Sequence, residues 1–551
     1  MREAEISELR QEDEQQSAVS KLIYGFELDR RDFFKLVGGG VVVCLCAGPL
    51  LAQESGGRFH GEEALPQSVR AWLHIGADGR VTVYTGKVEI GQNIRTSLAQ
   101  QVAEELRVPV GSIEIIMGDT LLTPYDMGTF GSRTTPTMGP QLRRAAAVAR
   151  ETLVGMAAEW WKADPSTLTA TAGKVANPQS KRSISYGELT KGRALVEVIS
   201  AEVAFEAPAQ WRIASTPVPK VDGRDFVNGK HTYSPDITRP GMVYGKILRP
   251  SAFHATLKSC DASAAKKIPG VTVVQDGNFV GVTAPDVAVA EQAIKAIHAE
   301  WTAPQQTSET TLFEDLRKTS SDSGRREDPY VTGSIEQGLA AAGKTLRQTY
   351  TVSYIQHVPL EPRAAVAEWQ DGKLTAWTGT QRPFAVRDEL AQAFRIPSQN
   401  VHVMVPDTGS AYGGKHTGEA AVEAARLAKT AEKPVKLVWT REEEFIWAYF
   451  RPAGVIDIES GVSNDGKLVA WKVENYNSGP AALRTPYEVA NQWAEFHPSD
   501  APLRQGSYRS LAAPANHFAR EVHMDELAYL LGNRSVRVWR GGESERPAKS
   551  D

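Results

Sequence analysis

Hydrophobic and polar positions follow one pattern twice along this chain. From Asp78 to Thr120 the order is an Asp-Gly turn, an alternating run, Thr-Gly, a helical stretch, an apolar-Pro stop, a second alternating run and Asp-Thr. From Asp371 to Thr408, about 290 residues later, the same order returns. Asp-Gly between alternating runs signals a hairpin. Ile94, Leu98, Val102 and Leu106 recur every fourth residue, which makes one helix face apolar. Both helices carry Leu-Ala-Gln, and the second copy is shorter by about one helical turn within its helix, a change that preserves the buried face. The pattern reads as a duplication. Two related units that each end in a glycine-rich loop predict a ligand held between them.

The same reading divides the rest of the chain. Residues 65–150 hold the first copy, and 151–215 form a mixed connector with a helix end at Trp160-Trp161 and a polar stretch from Pro178 to Ser185. Residues 222–302 read as a compact α+β unit, with β-rich runs at Met242–Leu248 and Val271–Gln275 and a closing helix from Ala288 to Trp301. Residues 303–344 are polar and read as a surface linker. Residues 345–531 hold the second copy and a further α/β portion with a hairpin at Asn464-Asp465-Gly466, and 532–551 form a divergent tail.

At the start, Arg30-Arg31-Asp32-Phe33-Phe34-Lys35 precedes the apolar run LVGGGVVVCLCAGPLLA. This run is about seventeen residues long with three consecutive glycines, short of the roughly twenty a spanning helix needs. Residues 1–52 therefore resemble a twin-arginine export signal cut after Ala52, outside the fold, which predicts a periplasmic protein. A buried apolar strand and a membrane anchor are the alternatives.

Composition narrows the chemistry. At 551 residues the chain holds roughly three or four domains. With 23% charged residues and a net charge of −4, nothing predicts a nucleic-acid surface. The three cysteines, Cys44, Cys46 and Cys260, form no Cys-x-x-Cys pair and no set that could hold an iron–sulfur cluster. The eleven histidines are scattered without zinc-ligand spacing. Any redox cofactor is held by the fold around it.

The candidate chemistry lies in the loops after the repeats. The strand VHVMVPD leads into Thr408-Gly409-Ser410-Ala411-Tyr412-Gly413-Gly414-Lys415-His416, and an Ala-rich helix follows from Gly418 to Lys429. Strand, glycine turn and helix N-terminus together suit an anion. Gly409 to Lys415 fits Gly-x-x-x-x-Gly-Lys, but His416 stands where a phosphate-binding P-loop needs Ser or Thr, and Val435–Trp439 ends in Thr440 with no acidic residue for magnesium. In the first copy, Gly91-Gln92-Asn93 opens the helix and Gly128-Thr129-Phe130-Gly131-Ser132-Arg133 follows the Asp119-Thr120 strand end. Gln92 and Gln381 occupy related places, each able to offer an amide to a shared ligand.

Taken together, these motifs resemble a molybdopterin-binding large subunit of the xanthine dehydrogenase and aldehyde oxidase family, closest to the exported branch with the isoquinoline 1-oxidoreductase β subunit. The resemblance runs from about residue 65 to 531. It implies a multi-domain α+β fold: a hammerhead domain at 222–302, a first molybdenum-cofactor domain at 345–531, and a permuted part of the second at 65–150. It further implies a molybdenum–molybdopterin cofactor, in the cytosine dinucleotide form, held without side-chain ligation of the metal. The implied reaction is oxidation of an aldehyde or N-heteroaromatic with oxygen from water. Electrons would pass to a small iron–sulfur subunit and on to a cytochrome c acceptor. Carried over residue by residue, Gln381 and Arg509 take catalytic places. Gln92, Gly131, Ser132, Gln381, Gly409, Tyr412, Gly413, Gly414 and Arg509 take cofactor-binding ones. Asn93 and Ala411 replace glycines of the family pattern, Tyr412 a phenylalanine, His416 a common acidic residue, and Leu511-Ala512 a Phe-Gly.

Beyond Leu531 the stretch GNRSVRVWRGGESERPAKSD is rich in Arg and without period, which reads as disordered or as a shifted reading frame. The family's catalytic glutamate, a general base, has no counterpart in this chain. The alternative readings are thus a truncated, inactive cofactor-binding protein and, more remotely, a P-loop-like nucleotide-binding enzyme. On this reading the isolated chain is inactive and poorly soluble unless a second polypeptide completes it.

Overall fold

The computed structural model describes residues 40–46, 69–199, 203, 205–320 and 328–532. Arg30, Arg31, Ala52 and the tail after Gly532 lie outside the described residues.

The first repeat builds a five-stranded sheet. Strands β1 (Gly40–Cys46), β2 (Val69–Gly76), β3 (Val81–Thr85) and β4 (Ile113–Met117) come first. After a small antiparallel sheet of β5 (Thr169–Thr171), β6 (Lys174–Asn177) and β7 (Arg182–Ser185), β8 (Ala194–Ile199) completes the order β4-β3-β2-β1-β8. Helix α1 (Ile94–Leu106) joins β3 to β4, and the longer α2 (Gly139–Trp161) follows. Leu98, Val102 and Leu106 of α1 and Leu142, Ala146 and Leu153 of α2 close over Leu73, Ile75, Val81 and Val83 of the sheet. The predicted four-residue spacing thus marks the buried face of α1.

The second sheet has seven strands. Strands β9 (Val243–Ile247), β10 (Thr256–Asp261), β11 (Thr272–Asp276), β12 (Phe279–Ala284) and β13 (His298–Thr302) precede β14 (Tyr330–Thr332) and β15 (Lys344–Val352). The second repeat supplies β16 (Ala364–Gln370), β17 (Lys373–Thr378), β18 (Val401–Met404) and β19 (Val435–Val438), giving the order β11-β12-β9-β19-β16-β17-β18. The 222–302 segment therefore does not stand apart: β9 pairs parallel with β19, so one sheet runs through both regions. Helix α3 (Val287–Lys295) packs on β9 and β12, while α4 (Pro383–Phe394) and α5 (Glu419–Ala431) belong to the second repeat.

The repeats correspond strand by strand. The order β18-β17-β16-β19-β9 matches β4-β3-β2-β1-β8, with the same sequence of parallel and antiparallel pairings. Their edge strands meet. Asp119 and Met404 form an antiparallel bridge, Thr120 N donates to Val403 O (2.9 Å) and Val405 N to Gly118 O (3.2 Å). The repeated Asp-Thr ends reach across this joint reciprocally. Asp119 of the first unit pairs with His402 of the second at 2.8 Å, and Asp407 of the second with Arg95 of the first at 2.6 Å.

Three expectations change. The closing helix of 222–302 stops at Lys295, and His298–Thr302 instead pairs antiparallel with β10, because a neighbouring strand takes up its backbone groups. The 303–344 stretch is not a bare linker: it contains Leu312–Lys318 and Ile335–Ala340 as helices and Tyr330–Thr332 as a strand, anchored by buried Leu316 and Ile335. Within the apolar run assigned to the export signal, Gly40–Cys46 lies inside the fold as β1, between β2 and β8.

A third sheet, β14-β22-β21-β20-β15, adds β20 (Gly454–Val462), β21 (Leu468–Tyr476) and β22 (Asn491–His497), with the predicted Asn464-Asp465-Gly466 hairpin between β20 and β21. Helix α6 (Ala513–Leu530) covers it. Under the helix, fully buried His523 stands 2.8 Å from Ser460 Oγ and 3.1 Å from Tyr350 Oη, and the Tyr350 hydroxyl donates to Glu526 (2.6 Å). With that hydroxyl committed, Nδ1 carries the imidazole proton and Nε2 accepts from Ser460.

Burial pushes His523 from its usual 6.5 down to about 4, so the fold holds it neutral. The unfolded chain takes up a proton as pH drops below about 6.5. This contribution is intact above about 6.5 and is lost as pH falls toward 4, by about 3 kcal/mol for this group. We expect the melting temperature to fall over that window, and His523→Gln to flatten the fall. A pH–melting profile with the same slope in both proteins would contradict this account.

Candidate functional site

Gln381 sits in the turn after β17, 3% exposed, and clasps loops from both repeats. Its side-chain Nε2 donates to Thr129 O (2.8 Å), and its own carbonyl accepts from Thr129 N (2.8 Å). On the other side, Oε1 accepts from Gly413 N (3.0 Å), while the Gln381 backbone N donates to Lys415 O (2.7 Å). A residue of the second repeat thus joins the Gly128–Arg133 loop of the first to the Gly409–Lys415 loop of its own unit. Glycine is required where the Gly409–Lys415 loop packs against its neighbours. A Cβ at Gly413 would stand 2.9 Å from Ser507 O, and one at Gly414 would stand 2.6 Å from the His357 ring.

Beneath the glycine loop lies a charged cluster that sequence reasoning missed. Lys415, 1% exposed, donates to Glu361 Oε1 (2.9 Å), whose Oε2 accepts from Gly409 N (3.0 Å). Arg363 binds Glu444, Glu419 (3.2 Å) and the Gly414 carbonyl. Burial lowers the affinity of Lys415 for its proton, and Glu361 opposes that shift. For Glu419, burial raises the pKa but Arg363 and Arg504 outweigh it and hold the group at about 2. His357 donates through Nε2 to Ser507 O (2.7 Å) and packs against Tyr449 and Tyr508. Burial is the main cause that pushes His357 to about 4, and the main cause that pushes His416 to about 3, with Arg382 adding to the latter. Both imidazoles are neutral at physiological pH. His416 lies beside Phe130 of the first repeat (ring centroids 5.4 Å apart), and its Nε2 has no hydrogen-bond partner among the described residues.

The expected anion site at the helix N-terminus is already filled by the chain's own carboxylates. Gly418 N, which caps α5, donates to Glu389 (2.7 Å), and Glu419 occupies the first turn. Lys415, the lysine of the P-loop-like spacing, is turned inward to Glu361 and cannot reach a phosphate. This removes the nucleotide reading.

The other expected site residues fall into two groups. Gly409, Tyr412, Gly413 and Gly414 lie on the loop held by Gln381, and the loop of Arg509 packs beside it through Ser507 and Tyr508. Gly131, Ser132 and Arg509 are exposed. Gln92 bonds within its own turn, accepting from Ile90 N (2.7 Å) and donating to Val88 O (3.1 Å). That turn still touches the site, since Val88 N donates to Thr129 Oγ1 (2.9 Å) and Thr408 N to Glu89 O (3.0 Å). Backbone strain gathers at the same place. Val358 (φ 49), Ser410 (φ 81), Tyr412 (φ 60), Ser510 (φ 69) and Leu511 (φ 54) all adopt the left-handed region that side chains disfavour. Non-glycine strain of this kind costs about 1–3 kcal/mol per residue and clusters at ligand sites. Leu360, Val358, Tyr412 and Leu511 also leave apolar surface exposed at this rim.

Comparison with known proteins agrees with the two-unit arrangement. Models of molybdopterin cofactor-binding domains match residues 38–234 and 321–540. A nicotinate dehydrogenase subunit of Pseudomonas putida is 27% identical over 84% of this chain and 41% of its own length. The beta subunit of isoquinoline 1-oxidoreductase from Brevundimonas diminuta is 26% identical over 81% and 63%. The chain therefore spans about two fifths to two thirds of these relatives. Among solved structures, quinoline 2-oxidoreductase from Pseudomonas putida 86 matches with a TM-score of 0.50 at 22% identity, over 58% of this chain and 48% of its own. Aldehyde oxidoreductase from Desulfovibrio gigas matches with a TM-score of 0.50 at 18% identity, over 60% and 43%; both likenesses concern the fold. With one cofactor-binding domain match on each repeat unit, this chain belongs to the molybdopterin-binding subunits of the xanthine dehydrogenase family.

Proposed function

We propose that the chain is the cofactor-bearing subunit of a molybdenum hydroxylase that oxidises an aldehyde or an N-heteroaromatic compound. The observation that carries this reading is the Gln381 clasp, which brings glycine loops of both repeat units to one rim. The residues suit a pterin-held metal: beside Phe130 of the first repeat, His416 Nε2 is a neutral nitrogen without a partner among the described residues. When bound, the molybdenum–pterin group supplies the two-electron chemistry. Around it, Gln381 sets the spacing of the two loops and His416 offers a neutral hydrogen-bonding nitrogen to a polar ligand atom. Leu360, Val358, Tyr412 and Leu511 form an apolar rim suited to an aromatic ring. Gly131, Ser132, Gly409, Gly413, Gly414 and the turn of Gln92 would hold the cofactor, in its cytosine dinucleotide form, and exposed Arg509 would meet the substrate. Relatives named as nicotinate dehydrogenase and isoquinoline 1-oxidoreductase subunits support a heteroaromatic substrate. Relatives named as subunits support a separate iron–sulfur subunit that receives the electrons and passes them to a cytochrome c. The Arg30-Arg31 motif supports export to the periplasm.

Purified protein is expected to contain molybdenum and a pterin but no iron of its own, as read by elemental analysis and by fluorescence of the oxidised pterin. Zinc or a bound nucleotide in place of molybdenum would refute the proposal. In the complete active assembly, Gln381→Ala is expected to lower turnover on the order of a hundredfold. Because it also deletes two side-chain hydrogen bonds between loops, the melting temperature should fall by a few degrees, about 2 kcal/mol of stability. Unchanged turnover would take Gln381 out of the site.

A further inference from the structure

The apolar run after the arginine pair has two incompatible uses. As the hydrophobic part of a signal cut after Ala52 it leaves the mature protein; as β1 it stays. Four observations bear on which one holds. First, β1 is an interior strand, antiparallel to β2 from Gly40↔Gly76 to Cys46↔Val69 and parallel to β8 from Gly40↔Ala194 to Leu45↔Ile199. Without it β8 loses its partner in this sheet, and β2 becomes an edge that presents unpaired backbone groups. Second, Val41 is fully buried in the same core as Leu73, Ile75 and Leu142. Third, a Cβ at Gly40 would stand 2.4 Å from the Ile75 carbonyl oxygen, so the last of the three consecutive glycines is needed for close approach of β2.

The fourth observation is the repeat itself. In the second unit the place between β16 and β9 is filled by β19, which follows α5 after a turn of three residues and is sealed by Val435 and Leu437. In the first unit the corresponding helix, α2, leads away into the connector, so nothing downstream returns to that place. β1 enters it from upstream, and α2 packs on β1 and β2 as α5 packs on β19 and β16. The duplicated unit is thus complete only with residues 40–46, as a strand permuted from the end of the unit to its beginning. The cofactor-domain match that begins at residue 38 includes the same stretch.

We propose that Gly40–Cys46 is a permanent core strand of the first cofactor-binding unit, equivalent to β19, and that any maturation cut falls before Gly40. The hydrophobic stretch that would engage an export machinery is then withdrawn into a sheet by folding. The strand assignment does not depend on the enzymatic reading, and the cell fraction in which the protein is found tests export separately.

The test is N-terminal sequencing and denaturing intact-mass measurement of the full chain, produced in a host with twin-arginine export and recovered folded. A chain that is uncut, or cut before residue 40, supports the proposal. A folded, soluble product that starts at Gln53 overturns it. As a second arm, Val41→Ala should lower the melting temperature by a few degrees and Val41→Asp by about 5–10 °C or abolish folding. Melting temperatures equal to that of the unaltered chain would also overturn it, because a removable leader contributes nothing to the core.

Discussion

Everything at the candidate site depends on how the two repeat units meet. The joint is made by edge strands β4 and β18, whose ends continue the sheet hydrogen bonding into one another, and by the reciprocal Asp119–His402 and Arg95–Asp407 pairs. Backbone bonds fix the distance between the units, while these side-chain pairs fix their register. The Arg95–Asp407 pair is well enclosed, with the Asp407 side chain 8% exposed, so its charges are weakly screened. Gln381 completes the joint from the other side. The site is a property of the seam and belongs to neither unit alone.

The cluster under the glycine loop supports the seam from one side. Glu361 and Lys415 pair where both are buried, and Arg363 satisfies two carboxylates and a backbone carbonyl. Such pairs contribute little net stability over an apolar core, but removing one partner typically costs about 3–5 kcal/mol because the other charge is left buried. Their effect here is to hold a glycine loop in one conformation. That loop carries positive φ at Ser410 and Tyr412, a conformation the chain would not adopt unaided. The neutral imidazoles of His357 and His416 lie beside this loop, His357 against Tyr449 and Tyr508 and His416 against Phe130 of the first repeat.

The duplication also explains the unusual start of the chain. A unit that closes with β19 in one copy closes with β1 in the other, and the strand comes from opposite ends of the repeat. The same seven residues satisfy a hydrophobic signal pattern and a buried-strand pattern, because both demand little more than an uninterrupted apolar run with small residues.

Local elements with a strong period were legible in the sequence. The spacing of Ile94, Leu98, Val102 and Leu106 marked α1, and the Asp-Gly and Asn-Asp-Gly turns marked the hairpins, because these follow from contacts within a few residues. The identity of Gln381 and the glycine loops as site candidates was legible too, through their repetition. What Gln381 does was not, because its partners Thr129 and Gly413 lie 252 and 32 residues away. The inward turn of Lys415 was hidden for the same reason: its partner Glu361 is 54 residues upstream, and spacing alone cannot tell a phosphate-binding lysine from a buried ion pair. His298–Thr302 continued a helical pattern until β10 offered its edge, and Gly40–Cys46 read as a leader until β2 and β8 enclosed it. The sequence by itself determined where helices and turns form and that two units repeat. Only the tertiary structure decided which apolar runs become strands and which charges are buried, since those choices depend on partners that distant parts of the chain supply.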